Sequence, residues 1–317
     1  MKWLSDKTVE RLRQVAELPD LSGTKYRLLE ELGRGGMGTV YLAEDAELER
    51  CVALKVLQGP EVGPEAAERL LREARIMARL EHPGIVPIHD VGRLPDGRVF
   101  YVMKRVRGRR LDRHLEATAS LADRLRIFTR ICETVAFAHA QGAIHRDLKP
   151  DNILVGEFGE VLIMDWGVAK LLDSAEPAVR TPAPAASAGT VDGVVVGTPD
   201  YMAPEQARGE IARVDRRSDV YALGAILERL GGESLPRPLA AICRKALAPE
   251  PSGRYPGAAE LGSDVSRFLD RLSVTAYREN AFERSARWVS RNRTAVLLVA
   301  AYLLARLLLF LLRPPAR

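Results

Sequence analysis

The fold of this chain is decided by one stretch of sequence, His145-Arg146-Asp147-Leu148-Lys149-Pro150-Asp151-Asn152. It places a candidate base, Asp147, and a candidate metal ligand, Asn152, five residues apart in one predicted loop. In the pattern H-R-D-L-x-x-x-N, the aspartate accepts the proton of an attacking hydroxyl and the asparagine holds a magnesium ion on nucleotide phosphates. The stretch therefore predicts a phosphoryl-transfer centre.

A glycine-rich segment lies upstream, between two strand-like flanks. It reads Gly33-Arg34-Gly35-Gly36-Met37-Gly38-Thr39-Val40 and fills G-x-G-x-x-G-x-V, in which the glycines let a backbone turn close over phosphates. A plain hairpin loop would also use glycine, and a dinucleotide-binding turn shares the spacing. The dinucleotide turn, however, joins a strand to a helix and needs an acidic ribose partner, so the context here disfavours it.

A lysine and a glutamate extend the phosphate-binding pattern. The apolar strand Val52-Ala53-Leu54-Lys55 ends in Lys55, and pairing with the α- and β-phosphates would explain a charge at this point. The segment 64–80 has the apolar spacing of a helix with one buried face, and Glu73 lies within it. We expect Glu73 to form an ion pair with Lys55, and the alternative is one more solvated charge among its charged neighbours.

Two further motifs follow in the expected order. The apolar run Val161-Leu162-Ile163-Met164 is typical of a buried strand and ends in Asp165-Trp166-Gly167, which corresponds to D-F-G with tryptophan in place of phenylalanine. Asp165 would ligate magnesium, while the aromatic ring packs. Ala203-Pro204-Glu205 then matches A-P-E. Five ordered matches argue strongly against a chance occurrence.

Together these motifs resemble a eukaryotic-type serine/threonine protein kinase of the kind found in bacteria. The resemblance covers roughly residues 24–270 and implies an α+β, two-lobed kinase fold, with a small β-rich N-lobe over about 24–103 and a larger helical C-lobe over about 107–270. Lys149 and the segment 197–201 are similar to the serine/threonine members. The implied reaction is transfer of the γ-phosphoryl of Mg-ATP to protein serine or threonine hydroxyls. The alternatives are a pseudokinase or scaffold module that binds nucleotide without efficient turnover, and a small-molecule phosphotransferase on the same fold.

The resemblance also implies the site residues and the cofactors ATP and Mg²⁺. The catalytic set is Asp147, Lys149, Lys55 and Glu73, and the metal ligands are Asn152 and Asp165. The nucleotide-binding set is Gly33, Gly35, Gly36, Gly38, Val40, Ala53, Lys55, Met103, Lys104, Val106 and Leu154. By the same resemblance, Asp219 would brace the backbone of the catalytic loop and Arg254 would pair with Glu205.

Three departures limit what the resemblance implies. Trp166 is larger than phenylalanine, although Asp165 and Gly167 keep the chemistry and the turn. The stretch between Leu230 and Leu239 is too short for the helix that family members usually carry there, so substrate selection by that surface is not implied. The stretch 173–196 is long and rich in Ala, Pro, Ser and Thr, which predicts a mobile activation loop.

Regulation by phosphate is predicted from Arg146, which stands beside the candidate base. A phosphate gives an arginine two or more charge-assisted hydrogen bonds and can order a loop. The candidate phosphorylation sites are Thr190, Thr181 and Ser187, with Thr190 favoured, and the alternative is that all three are merely solvated. Autophosphorylation between copies would involve a homodimer, which the sequence leaves open.

Charge and hydropathy single out the C-terminal part of the chain. The net charge is +5, but residues 278–317 contain eight Arg against two Glu, a local net charge of +6, so residues 1–277 do not form a basic nucleic-acid surface. The expected order is an N-terminal helical extension over 1–23, a basic juxtamembrane segment over 271–294 and an apolar tail helix over 295–312. The tail predicts contact with membrane lipid, as a single-pass anchor that leaves the kinase domain in the cytoplasm, and an interfacial or oligomerisation helix is the alternative.

Overall fold

A computed structural model describes residues 18–35, 38–57, 64–117, 120–166, 170–171, 199–232 and 235–311. The strands are β1 (Tyr26–Gly35), β2 (Gly38–Asp45), β3 (Arg50–Val56), β4 (Ile88–Arg93), β5 (Val99–Lys104), β6 (Gly108–Arg110), β7 (Ala143–Ile144), β8 (Ile153–Gly156), β9 (Val161–Ile163) and β10 (Lys170–Leu171). The helices are α1 (Pro64–Arg79), α2 (Leu111–Ala117), α3 (Leu121–Ala140), α4 (Pro204–Ala207), α5 (Arg216–Gly231), α6 (Arg237–Ala246), α7 (Ala258–Leu269), α8 (Ala281–Arg291) and α9 (Arg293–Leu311).

The N-terminal lobe is an antiparallel sheet of five strands in the order β1-β2-β3-β5-β4. Side chains alternate between the two faces of a strand, and both faces of β3 are buried. One face, which includes Val52, Leu54 and Val56, packs in a cluster with residues of β1, β2 and β5. Lys55 therefore lies on the opposite face, where α1 covers the sheet. Tyr101 of β5 is paired directly with Lys55 and shares that face.

Helix α1 confirms the helix predicted over residues 64–80. Its apolar residues recur every three or four positions, so that one side of the helix is buried against the sheet. Leu70 and Ala74 belong to this buried side, and Glu73 is buried with them at 1% exposure. The spacing that buries the aliphatic side chains thus also turns Glu73 toward β3.

Long helices build the C-terminal lobe around one core. Helix α3 begins at the cap Ser120, whose hydroxyl accepts from the Asp123 backbone N–H, and its apolar side packs against α5 and α7. Helix α5 begins at the cap Asp215 and is buried along most of its length. The C-terminal end of α3 and the N-terminal end of α5 therefore lie beneath the loop that follows β7.

The loop over residues 145–152 lies between β7 and β8, and a short strand, β9, pairs with β8 beside it. Two residues near this loop have left-handed backbone, Arg146 at φ 68° and Asp165 at φ 62°. This conformation is unfavourable for residues other than glycine and persists where neighbouring contacts fix it. The two-lobed kinase fold expected from the sequence is therefore present.

The predicted departure near residue 230 is visible, because α5 ends at Gly231, α6 begins at Arg237 and no helix separates them in the described part of that stretch. The tail forms α8 and α9, and α9 covers residues 295–311 of the range 295–312 in which an apolar, membrane-spanning helix was predicted. Among the described helices, none has the length and apolarity needed to cross a membrane. Residues 1–17 of the predicted N-terminal extension lie outside the described residues.

Candidate active site

A buried ion pair joins the sheet to α1. Lys55 Nζ donates to both carboxylate oxygens of Glu73, at 2.9 Å to Oε1 and 3.0 Å to Oε2, so the predicted pair is present and the solvated alternative is wrong. Burial alone would lower the pKa of Lys55, but the negative charges of Glu73 and Asp165 outweigh it and raise the pKa. The lysine is therefore a cation held in a fixed place.

Tyr101 is a third member of this arrangement, and it is absent from the residues predicted from sequence. Its hydroxyl donates to Glu73 Oε1 at 2.8 Å, and Lys55 Nζ lies 5.6 Å from the centre of its ring. Burial, followed by the Glu73 carboxylate, raises the pKa of Tyr101 well above its ordinary value, so the hydroxyl keeps its proton. The available signal was a polar tip on a strand residue two positions before Met103.

The catalytic loop presents Asp147 to solvent between two polar neighbours. Lys149 Nζ donates to Asp147 Oδ2 at 2.9 Å. Asn152 Nδ2 donates to the Asp147 backbone carbonyl at 2.7 Å and to Oδ2 at 3.3 Å. The Asp147 side chain is 41% exposed. These bonds orient the carboxylate and leave it open to a hydroxyl that approaches from solution.

Asp165 is also open to solvent, and the residue before it, Met164, donates its backbone N–H to the Asn152 carbonyl at 2.8 Å. The Asp165 side chain is 47% exposed, and its Oδ1 accepts from Lys55 Nζ at 3.5 Å. No cluster of three or more His, Cys, Asp or Glu able to hold a metal occurs in the described ranges. Magnesium needs no such cluster, because it binds through one or two protein oxygens together with phosphates and water. The Asp165 carboxylate and Asn152 Oδ1 fit that requirement, since the Asn152 amide nitrogen is already engaged with Asp147.

Trp166 fixes the segment that carries Asp165. The indole is fully buried in the main core, and its ring centre lies 4.6 Å from that of His145. His145 Nε2 is 3.0 Å from the carbonyl oxygen of Met164, so the histidine joins the catalytic loop to this segment. The larger aromatic ring is therefore accommodated in the core, with Nε1 lacking a hydrogen-bond partner among the described residues.

Asp219 braces the backbone of the catalytic loop, as the resemblance implies. Its Oδ2 accepts from the His145 N–H at 2.9 Å and its Oδ1 accepts from the Arg146 N–H at 2.8 Å. His139 Nε2 lies 2.8 Å from Oδ2, a contact that the sequence did not predict. Burial alone would raise the pKa of Asp219, but hydrogen bonds from His139 and His145 hold it below its ordinary value. This anion keeps Arg146 in its left-handed conformation.

The segment after the activation loop is tied to the lobe by a second buried ion pair. Arg254 donates to Glu205 through Nη1 and Nη2, both at 2.8 Å, which is the predicted pair. Ser218 Oγ donates to Glu205 Oε1 at 2.7 Å. Gln206 Nε2 donates to the Arg146 carbonyl at 2.8 Å, so this segment also contacts the catalytic loop. Ser218 and Gln206 were not predicted.

The predicted adenine side of the site is apolar. Ala53 of β3 is buried and pairs with Met103 of β5, while Val106 and Leu154 are partly buried beside the main core. Lys104 is exposed, and its backbone N–H donates to the Pro87 carbonyl at 3.1 Å. The structure therefore gathers a small-residue and aliphatic surface at the end of the sheet, next to Lys55.

The glycine-rich turn joins β1 and β2 above this surface. Gly33 pairs with Val40, and Gly35 pairs with Gly38. A Cβ at Gly38 would collide with the backbone carbonyl oxygen of Val56, so β2 can approach β3 here only with glycine. Several predicted residues lie outside the described residues: Gly36, Gly167, Thr181, Ser187 and Thr190.

Known proteins are similar to this chain in sequence and in fold. The family described as "Protein kinase domain" matches residues 26–245. Serine/threonine-protein kinase PknD of Chlamydia trachomatis serovar D is 37% identical over 298 residues, covering 77% of this chain and 32% of PknD, and that of Protochlamydia amoebophila is 33% identical over 299 residues, covering 78% and 30%. The PknI kinase domain of Mycobacterium tuberculosis superposes with a TM-score of 0.56 at 26% identity, covering 77% of this chain and 96% of that chain. The chain spans about a third of the length of the curated relatives it matches. It belongs to the protein kinase family, in the bacterial eukaryotic-type serine/threonine branch.

Proposed function

We propose that the chain transfers the γ-phosphoryl group of ATP to serine and threonine hydroxyls of proteins. The observation that carries this proposal is the exposed Asp147 carboxylate, held between Lys149 and Asn152. The names of the curated relatives, all serine/threonine-protein kinases, favour these hydroxyls over tyrosine.

Each residue has a role that its position allows. Asp147 accepts the hydroxyl proton while the oxygen forms a bond to the γ-phosphorus, and the bond from that phosphorus to the bridging oxygen breaks to release ADP. Lys149 stabilises negative charge on the transferred group, because its ammonium lies beside Asp147. Lys55, fixed by Glu73, binds the α- and β-phosphates.

Asn152 and Asp165 would hold Mg²⁺, since they offer an amide oxygen and a carboxylate on segments joined by the bond from the Met164 N–H to the Asn152 carbonyl. When bound, the ion neutralises phosphate charge. Asn152 and Lys149 also keep Asp147 oriented through their own hydrogen bonds. The pseudokinase alternative is not favoured, because Lys55, Asp147, Asn152 and Asp165 are all present in competent positions.

Transfer of labelled phosphate from ATP to a generic basic protein tests the proposal. We expect incorporation with the unaltered chain in magnesium buffer and a loss of about 10²–10⁴-fold in Asp147→Asn, which keeps the shape of the side chain but removes the base. Asp151→Asn is a matched control, because Asp151 lies in the same turn and pairs with the surface residue Arg110 at 2.8 Å. Full activity of Asp147→Asn, or none in the unaltered chain, would reject the proposal.

We propose, as a second part of the same function, that phosphate on the activation loop binds Arg146. The guanidinium is partly buried, burial lowers its pKa, and its Nε and Nη2 have no hydrogen-bond partner among the described residues. Donors buried without a partner are costly, and a phosphate would satisfy both. Thr190 is the favoured acceptor, followed by Thr181 and Ser187.

Mass mapping after incubation with ATP tests this part of the proposal. We expect phosphate between residues 171 and 196, and its absence there would contradict the assignment. Autophosphorylation between copies of a homodimer predicts that an Asp147→Asn copy becomes labelled when it is mixed with an active copy. Label on the active copy alone, with none on the Asp147→Asn copy, would instead indicate transfer within one chain.

We propose that the tail brings the kinase to the cytoplasmic face of a membrane. The side chains of α9 from Leu297 to Leu308 are exposed and apolar except for Arg306, on every side of the helix. An all-apolar helix surface is stable when lipid or protein covers it. Phe282 and Val289 of the preceding α8 are also exposed, and helical spacing places Arg284 and Arg287 on the opposite side of that helix, a pattern that suits an anionic lipid surface.

Flotation of the full chain with vesicles containing anionic lipid tests this localisation. We expect flotation that is lost when Leu303 and Leu307 are replaced by lysine and retained in Leu48→Lys, which alters an equally exposed leucine of the N-terminal lobe. Extraction from cell membranes by carbonate would indicate a helix that lies on the surface. Full solubility without detergent would contradict membrane association.

A further inference from the structure

The hydrogen bond between the Tyr101 hydroxyl and Glu73 is the least expected contact of the site. The hydroxyl donates to Glu73 Oε1 at 2.8 Å, the oxygen that also accepts from Lys55 Nζ at 2.9 Å. All three side chains are nearly buried, and Tyr101 is 2% exposed. Because Lys55 and Tyr101 are direct partners on adjacent strands, Glu73 of α1 is held by two points of the same rigid sheet.

We propose that Tyr101 is a positioning residue that keeps Glu73 engaged with Lys55 before nucleotide binds. This inference rests on the proposed phosphoryl-transfer function and deepens it. Lys55 also has Asp165 within reach, at 3.5 Å, so the ammonium has a second carboxylate to which it can turn. In the described contacts the tyrosine has a single carboxylate partner, Glu73. Its hydrogen bond therefore favours the arrangement in which Lys55 pairs with Glu73.

The chemistry of the hydroxyl supports this role. Tyr101 keeps its proton through burial and the negative charge of Glu73, so it is a permanent donor near neutral pH. A buried carboxylate that accepts hydrogen bonds from one cation and one neutral donor has more of its lone pairs satisfied than a carboxylate that pairs with the cation alone. Removal of the hydroxyl leaves Glu73 under-bonded in an apolar setting, which favours any arrangement that brings it to water.

The proposal predicts a specific split in the kinetics of Tyr101→Phe. Loss of one hydrogen bond to a buried charge shifts the equilibrium between the engaged and disengaged arrangements by about tenfold. If only the engaged arrangement binds ATP productively, the KM for ATP rises as that arrangement becomes less populated, by up to the same factor, while kcat at saturating ATP stays within about twofold because bound nucleotide selects that arrangement. A merely structural loss would lower the amount of active enzyme, and thus kcat, with KM unchanged.

Tyr26→Phe is the matched control. Tyr26 lies in the same sheet, and its hydroxyl donates to the Asp90 carboxylate at the same distance, 2.8 Å, on the face away from the site. Both variants lose one tyrosine–carboxylate hydrogen bond, so their thermal stabilities are compared first. We expect the KM for ATP to change in Tyr101→Phe and not in Tyr26→Phe.

A double-mutant cycle with Glu73→Gln decides whether Tyr101 acts through Glu73. The affinity for Mg-ATP, measured by equilibrium dialysis, supplies a readout even where turnover is slow. We expect Tyr101→Phe to change this affinity by less than about twofold in the Glu73→Gln background, because the partner is already altered. An unchanged KM in Tyr101→Phe, or an undiminished effect in the double variant, would overturn the inference. An unaltered chain that binds ATP but transfers no phosphate would instead refute the proposed function.

Discussion

The ion pair between Glu205 and Arg254 offers a sharp test of how the lobe is held together. Neither side chain has any exposed surface. Beyond its two bonds to Glu205, the Arg254 guanidinium donates to three backbone carbonyls, those of Ala248, Pro249 and Arg217, at 2.8–3.0 Å. A change of Glu205→Ala leaves this guanidinium locked in place by the carbonyls, with no anion to compensate its charge.

Removal of one partner from a buried ion pair costs about 3–5 kcal/mol. For a domain of this size, each kcal/mol lowers Tm by about 2–4 °C, so Glu205→Ala should melt roughly 6–20 °C below the unaltered chain. The control is Arg27→Ala, which removes an exposed pair with Glu44 at 3.1 Å and should cost no more than about 1 kcal/mol. Melting is followed by circular dichroism. Equal losses in the two variants would show that burial of the pair does not matter.

The same pair makes stability depend on pH. Burial alone would raise the pKa of Glu205, but hydrogen bonds from Arg254 and Ser218 hold it below its ordinary value of 4.5. A depressed folded-state pKa gives stability that is present above 4.5 and lost as pH falls through the lower, folded-state value. Glu205→Gln cannot titrate and should therefore lose less stability than the unaltered chain when both are acidified below 4.5.

Three shorter predictions concern the site itself. Asp165→Asn should weaken Mg-ATP binding as well as turnover, whereas Asp147→Asn should retain binding, as equilibrium dialysis can show. Gly38→Ala should raise the KM for ATP, because the added methyl group collides with the Val56 carbonyl and forces the glycine-rich turn away from β3, and unchanged kinetics would contradict this. Trp166→Ala should lower the free energy of unfolding by about 3–5 kcal/mol, as thermal unfolding can show. Trp166→Phe should cost less, because it leaves a smaller cavity and removes a buried N–H that has no partner in the described structure.

Sequence motifs predicted those parts of the site in which a particular residue type is needed at a particular position. The pairing of Lys55 with Glu73 was predicted because the kinase pattern pairs the strand lysine with a glutamate of the helix that follows. The pairing of Glu205 with Arg254 and the bracing by Asp219 came from the family resemblance, and both are present. The two lobes were likewise implied by the family resemblance.

Contacts between distant segments could not be predicted in this way. The hydroxyl of Tyr101 meets a glutamate 28 residues away, and His139 meets Asp219 across 80 residues. Strand alternation and helical spacing state which face a side chain occupies, but not which atom its polar tip reaches. Only the packing of α1 on the sheet and of α3 on α5 brings these pairs together.

The carboxylates of the site fall into a buried group and an exposed group. The buried carboxylates hold the backbone in place, and the exposed ones are available for the reaction. Glu73, Glu205 and Asp219 have at most 1% exposure, and each is satisfied by an arginine, a lysine or backbone N–H groups. Asp147 and Asp165 keep 41% and 47% of their side chains exposed. A buried anion with all its partners cannot exchange them for a ligand without a large desolvation penalty, whereas an exposed one can. The exposed pair is therefore the one free to meet a hydroxyl and a cation, while the buried set holds the backbone on which that pair stands.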